Sequence, residues 1–546
     1  MPDPLTRGTR AIGAVGLAAV VSIVAFCHGF TPIGDENDVW WHLKTGRVIS
    51  QAGGWPPPHD VFAYTSSHLE WHNHEWLAEW AMYAAYAAFE DRALGGLRAV
   101  IFFKALLLAA TFLTVLYLCA RRAGDLTVAA VITLVAITAA KFSVKARPPI
   151  FSYGLMALFL VLLYGLYQHH ERAWSRRLRL CALVALIAVW ANLHGGFAIG
   201  LVLIALFAAG CVWDGALAWI RAGRAAPLSN AGEIRLAAAL ALCGAACFIA
   251  TLLNPYGVKL YGMYARVMSD ADLVRSISEL QPPNLLYTHG FQALILALIL
   301  AGSLAGRRLP TAADYLVVGF FLFQAARHVR HVPLFAIAAA PVIAWQARGI
   351  YDALPPEWKR WWRPVMASTA VILAAWLLWV PDGLWSGNDG RQLSLFDRNA
   401  RLWRNEAYQP EGYPEEICDY LLTRDLPGRL FNEVNFAGYL IWRLSPDRYQ
   451  VFTDSRYDIF GGQFQRQAWQ IENAEVTPSG QATWKELLDH WDINLVIIDM
   501  YKPLNEALAR SGEWRMEFTD KRRYFRLWVR NELRPVRPLT ATQKPA

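Results

Sequence analysis

Three acids crowd the stretch Asp35-Glu36-Asn37-Asp38-Val39-Trp40-Trp41-His42-Leu43. Asp38 and His42 are four residues apart, so a helix starting here puts both on one face. Trp40 and Trp41 suit a helix lying in a membrane interface. A second run, Glu70-Trp71-His72-Asn73-His74-Glu75-Trp76-Leu77-Ala78-Glu79, is equally dense in ionisable groups. His72 and His74 alternate as they would on one face of a strand. With Glu75 they make a His–carboxylate set that suits a divalent metal such as zinc or manganese. A carboxylate can also take the proton of an attacking hydroxyl, help worth roughly 10²–10⁴-fold in rate. Asp38 is the first choice for that base, with Asp35 and Glu36 as neighbours and Glu279 as an acid from another loop.

Basic residues cluster elsewhere. Lys141, Lys145 and Arg147 precede Pro148-Pro149, and Arg327, His328, Arg330 and His331 precede Pro333. Arginine grips phosphate bidentately and lysine meets it as a point charge. Cations so placed would stabilise charge on an anionic leaving group. Lys145, Arg147, Arg327, Arg330 and His331 are therefore the expected phosphate ligands. Asn192 and His194 top a further turn and could reach the same space.

What must position these groups is a membrane bundle. The chain has 546 residues, 55% hydrophobic and 18% charged, with 24 Trp. An ordinary soluble chain carries about 25% charged residues. Mean hydropathy is +0.24. Stretches long enough to cross about 30 Å of hydrocarbon fall at 11–30, 98–120, 125–142, 149–167, 178–193, 196–219, 234–253, 289–305, 312–326, 333–347 and 365–381. About eleven spans result. Arg7 and Arg10, Arg121 and Arg122, Arg172 to Arg179, Arg221 and Arg224, Arg307 and Arg308, and Arg348 to Arg363 then share one side. Positive loops stay in the cytoplasm, so the N-terminus is expected inside and the C-terminal part outside. The first span is read as a retained anchor, although its basic start and apolar run also suit a signal peptide.

Two parts follow: a bundle over 1–381 that includes a long outer loop at 31–97, and a polar outer domain at 383–546. In the latter, helices near 413–424, 436–444 and 483–490 alternate with strands at 429–432, 450–454 and 495–499. A hairpin, 514–519 with 523–530, ends it. This pattern suggests a small α/β domain. It carries no Gly-rich phosphate loop. The +8 charge sits mostly in short loops between apolar runs, unlike the concentrated basic face of a nucleic-acid binder. Six of seven cysteines lie in apolar segments, leaving Cys418 alone in the polar domain. No disulfide framework is expected.

The topology and the first loop resemble the GT-C superfamily of membrane glycosyltransferases, specifically bacterial members of the dolichyl-phosphate-mannose mannosyltransferase type. Those enzymes share a first helix, a long outer loop with an acidic motif at its start, and an outer soluble domain. The acid matching that motif is Asp38, in Asp-Val-Trp-Trp-His-Leu, while the paired Asp-Glu of the group stands here as Asp35-Glu36. The resemblance implies a polytopic α-helical GT-C-like protein with a C-terminal α/β domain. It implies transfer of a sugar from a polyprenyl-phosphate carrier to a cell-envelope lipid, glycan or protein. Such a reading requires acids and guanidinium groups to gather at the outer membrane boundary. A transporter or a non-catalytic scaffold is the alternative. Transporters carry ionisable groups near mid-membrane, whereas these spans are nearly free of mid-span charge.

Overall fold

In a computed structural model of the chain, residues 4–34, 36–90, 95–168, 173–221, 232–283, 295, 298–299, 301–302, 308–380, 392–404, 406–408, 412–520 and 524–539 are described. Two compact units emerge.

The first unit comprises residues 1–32, 97–257 and 279–405. Among the described residues, six helices are long and apolar enough to cross a membrane: Gly96–Ala123, Pro149–Tyr167, Phe197–Arg221, Gly232–Thr251, Val329–Ala353 and Pro356–Trp379. Shorter apolar helices run over Gly13–Gly29 and Leu126–Ala140. Helices Ala173–Leu193 and Ala312–Arg327 match two more of the expected spans. The expected span at 289–305 lies mostly outside the described residues. On the Pro356–Trp379 helix, Trp358 and Trp379 are both exposed. At 1.5 Å rise per residue they lie roughly 30 Å apart, the thickness of the hydrocarbon layer.

Close helix approach depends on small residues. A Cβ at Gly29 would meet the Ala105 backbone at 2.5 Å, and one at Gly210 would meet Ala313 Cα at 2.7 Å. Arg122, expected in a cytoplasmic loop, is instead buried. Its Nη2 donates to Asp314 Oδ2 at 2.9 Å, and Tyr164 Oη donates to the other oxygen at 2.7 Å. A guanidinium in apolar surroundings is tolerable only with such a partner.

The second unit comprises residues 33–96, 258–278 and 406–546. Its sheet runs β1 (Arg429–Asn432), β2 (Ile493–Asp499), β3 (Trp514–Asp520) and β4 (Phe525–Arg530), in spatial order β1-β2-β4-β3. Strands β1 and β2 are parallel and the others antiparallel, with Leu430 beside Leu495 and Ile497 beside Leu527. Ile493, Leu495, Val496, Ile497 and Ile498 are all 0% exposed. Strand β2 is thus covered on both faces, which the unbroken apolar run Leu495–Ile498 requires. Helices Glu415–Thr423, Val434–Leu444 and Thr483–His490 stand close to the expected positions.

The expected strand at 450–454 does not form. Val451 N donates to Phe62 O at 3.0 Å and Tyr64 N donates to Val451 O at 3.3 Å, a single bridge to the first loop. The segment is extended, but its neighbour is an irregular loop with no ladder to offer. The loop itself holds helices Asp38–Gln51 and Trp76–Ala87. Gly53 and Gly54, at φ 78° and 95°, end the first of these. Trp40 and Trp41 do not lie in an interface: they are 4% and 7% exposed. The Trp40 ring sits edge-on to Tyr408, Tyr413 and Tyr439 at 5.1–5.5 Å. Such edge-to-face contacts are worth about 0.5–1.5 kcal/mol each beyond the area they bury.

One charge cluster joins the loop to the sheet region. Arg456 is 2% exposed. Its Nη1 and Nη2 reach Asp60 at 2.7 and 3.1 Å, and its Nε and Nη2 reach Asp454 at 2.9 and 2.6 Å. Asp60 also accepts from Phe62 N, Ala63 N and Ser66 Oγ. Trp71 lies under the guanidinium at 4.7 Å. Removing one partner of a buried ion group costs about 3–5 kcal/mol, because the rest is left uncompensated. Arg456→Met should therefore lower the melting temperature of the detergent-solubilised protein and open residues 33–96 to protease. Unchanged protease resistance would show that the cluster does not hold the loop.

Candidate functional site

The Asp38 carboxylate stands in the first turn of its helix, where the helix dipole favours a negative charge. It is half-buried and accepts a hydrogen bond from Ser455 Oγ. Trp41 Nε1 donates to the same hydroxyl at 3.1 Å. Ser455 lies between Asp454 and Arg456, so the charge cluster fixes the group that orients Asp38. Glu36 is more deeply buried, at 7% exposure, and Asp35 lies outside the described residues. Two glycines allow the tight packing around this helix. A Cβ at Gly438 would collide with the Asn37 carbonyl, and one at Gly46 with the Glu79 carbonyl.

One turn on, His42 Nδ1 is 3.0 Å from Glu79 Oε1 and 3.9 Å from Glu75 Oε2. One ligand atom from each of His42, Glu75 and Glu79 falls within 4.8 Å of the others. Asn73 Nδ2 donates to the second Glu79 oxygen at 2.5 Å. This group takes Glu75 from the expected metal set, with His42 and Glu79 in place of His72 and His74. His72 Nε2 instead lies 3.5 Å from Glu70, and His74 Nε2 lies 3.6 Å from Glu75 Oε1. The alternation argument fails because residues 71–73 form no strand. The helical signal was available, since Glu75 and Glu79 are four apart.

In the first unit, Lys145 Nζ and Arg147 Nη1 lie 3.3 and 3.1 Å from Glu279 Oε1. Two expected phosphate ligands thus hold the expected second acid. Tyr153, 5% exposed, lies within electrostatic range of Glu279, Arg147 and Arg330. His328 Nδ1 bonds Leu280 O at 2.7 Å and Val329 N donates to Gln281 O at 3.1 Å. These bonds bring the 327–331 turn beside the Glu279 segment. The His328 and His331 rings are 5.3 Å apart. Arg327 is exposed and folds back over Phe323 at 5.6 Å. Asn192 Nδ2 donates to Leu253 O at 2.9 Å, and His194 Nδ1 shares a hydrogen bond with Ser152 Oγ at 2.7 Å.

Comparison with solved structures decides the architecture. ArnT from Cupriavidus metallidurans matches in the apo state with a TM-score of 0.54 at 14% identity, over 95% of this chain and 98% of that one. Its complex with undecaprenyl phosphate matches at 0.53 and 12% identity, over 96% and 98%. The Archaeoglobus fulgidus oligosaccharyltransferase AglB, with an inhibitory peptide and a dolichol-phosphate, matches at 0.52 and 12% identity, over 89% and 69%. The chain shares the fold of ArnT and of the oligosaccharyltransferase AglB. No family model and no curated protein matches the sequence.

Within this fold, sequence reasoning missed a further acid group. Glu433 follows β1, is 2% exposed, and accepts from Asp499 N at 2.6 Å. Lys502 Nζ lies 3.4 Å from Glu433 and 2.9 Å from Glu472. Burial, with help from the Glu472 charge, pushes the Glu433 carboxyl up to about 7. An acid directly after the strand, in the mostly apolar stretch Leu430-Phe431-Asn432-Glu433-Val434-Asn435-Phe436, was the available signal.

The folded state thus holds the Glu433 proton more tightly than the unfolded chain does. Its contribution to stability is present below pH 4.5 and is lost as pH rises towards 7, by up to about 3 kcal/mol. His74, pushed down to about 4 by burial, acts in the opposite sense between about 4 and 6.5. The difference between wild type and Glu433→Gln isolates the first effect. Relative to wild type, the variant should gain stability as pH goes from 4.5 to 7 in thermal melts. Parallel curves would rule out the coupling.

Proposed function

We propose that the protein transfers a sugar from a polyprenyl-phosphate carrier to a cell-envelope lipid, glycan or protein. The reading places it in the plasma membrane with the N-terminus cytoplasmic and the sheet-bearing region outside. The observation that carries it is Asp38: an acid with solvent access, oriented by Ser455, at the start of the first long loop of a GT-C fold. ArnT in complex with undecaprenyl phosphate and AglB with a dolichol-phosphate support the choice of donor.

In this mechanism the acceptor hydroxyl attacks the anomeric carbon and gives its proton to the Asp38 carboxylate. The bond from that carbon to the phosphate oxygen breaks, and polyprenyl phosphate leaves with the electron pair. Lys145, Arg147, Arg327, Arg330 and His331 are the groups assigned to the phosphate. Glu279 holds Lys145 and Arg147 in place until the phosphate takes its position. Exchange of one anion for another costs less than exposing bare cations.

With purified protein and a panel of polyprenyl-phosphate sugars, Asp38→Asn should slow donor consumption by roughly 10²–10⁴-fold. Arg147→Ala should chiefly raise the KM for donor. No donor consumption by folded wild-type protein would favour the scaffold reading, and full turnover by Asp38→Asn would remove Asp38 as the base.

We infer further that His42, Glu75 and Glu79 hold a divalent cation. Two carboxylates share this buried place with one imidazole, and buried negative charge requires a positive partner. Nitrogen and carboxylate donors fit zinc or manganese. Such an ion would brace the loop helices and bias the local charge. The check is metal content by mass spectrometry: about one ion per chain, lost in His42→Ala, with a chelator lowering the melting temperature. Metal-free wild-type protein after growth in supplemented medium would dismiss the ion.

A further inference from the structure

A groove of about 720 Å³ in the second unit has no role in the chemistry above. That volume is within the range of ligand pockets, about 300–1,000 Å³. One wall is the Tyr457–Glu472 helix, kinked where Gly461 takes φ 70°. The facing wall is the Ala271–Ser276 helix. Gly462 N donates to Asp270 Oδ2 at 2.7 Å, and Arg466 Nη2 lies 2.7 Å from Asp272, so the two walls are tied together.

Three features define what the groove takes. Trp469 lines it and is 58% exposed, an apolar plate left open to solvent. Its charges balance: Asp272, Glu472 and Glu475 stand against Arg275, Arg466 and Lys502. Arg466 is already held by Asp272 and Lys502 by Glu472. A phosphate or a polyanion would need surplus positive charge, which this lining does not supply. Around the indole are polar groups of every type, with the exposed Asn435 amide at the start of the Val434–Leu444 helix. A ligand with one flat C–H face and a rim of hydroxyls satisfies both demands at once. The face covers the ring, and the rim exchanges hydrogen bonds with amide, carboxylate and guanidinium groups.

We propose that this groove is a subsite for a neutral glycan chain, one to a few sugar rings long. It names the acceptor class for the transferase, and rests on that reading only for what happens to the glycan afterwards.

The test uses the full chain in detergent, fluorescently labelled, on a printed array of neutral and anionic glycans, with calorimetric titration of each neutral hit. Wild type should bind at least one neutral oligosaccharide saturably. Trp469→Ala should weaken that binding at least tenfold and Asn435→Ala about threefold, with unchanged melting curves. Trp55→Ala, which removes another exposed indole of the same unit, should leave it unaltered. A blank array, binding confined to anionic glycans, or undiminished binding by Trp469→Ala each overturns the proposal. Because the readout involves no donor, failure of transfer with glycan binding intact would count against the transferase reading alone.

Discussion

A guanidinium shut away from water between two carboxylates governs how the second unit is put together. Arg456 cannot be buried alone, and neither can Asp60 or Asp454. Asp60 belongs to the first long loop, while Asp454 and Arg456 belong to the region after β1. The three stabilise one another only when these distant stretches are in register. Ser455 lies within that cluster, so its hydroxyl is set by its neighbours rather than by its own rotamer freedom. Asp38 and Trp41 both bond that hydroxyl. The orientation of the proposed base therefore descends from this three-residue ion cluster.

The basic turns of the first unit obey the same electrostatics with a different outcome. Lys145 and Arg147 are only partly exposed, and Glu279 compensates them. Cations left unpaired near hydrocarbon are costly and draw in water or an anion. A carboxylate that can be displaced solves the problem without blocking a stronger anion. Arg122 with Asp314 is the permanent version, closed off by Tyr164 and by the Thr311 cap.

Much of the architecture was readable from residue order because hydrocarbon thickness and strand burial leave strong periodic signals. Apolar length marked the spans, and the unbroken run Leu495 to Ile498 marked the central strand. Gly53 and Gly54 marked the end of the loop's first helix. Other features depend on partners hundreds of residues away and leave no local trace. Trp40 looked like an interface residue because nothing near it reveals the tyrosines that enclose it. Val451 looked like a strand residue because an extended segment reads alike with or without a ladder. The chemistry-bearing residues were found by type. Which of them touch was not, since His42 pairs with Glu79 across two helices, and the Asp60 cluster joins residues 396 apart.

That last separation has a consequence for biogenesis. A ribosome adds about 5–20 residues per second, so Asp60 is made about 20–80 s before Arg456 exists to neutralise it. Throughout that interval the helices from Gly96 to Trp379 are being synthesised. The early loop must wait, water-bound and unlocked, while the membrane-crossing part of the chain is threaded. Maturation thus closes from the far end backwards, and a truncation anywhere before residue 456 strands the loop in its immature state.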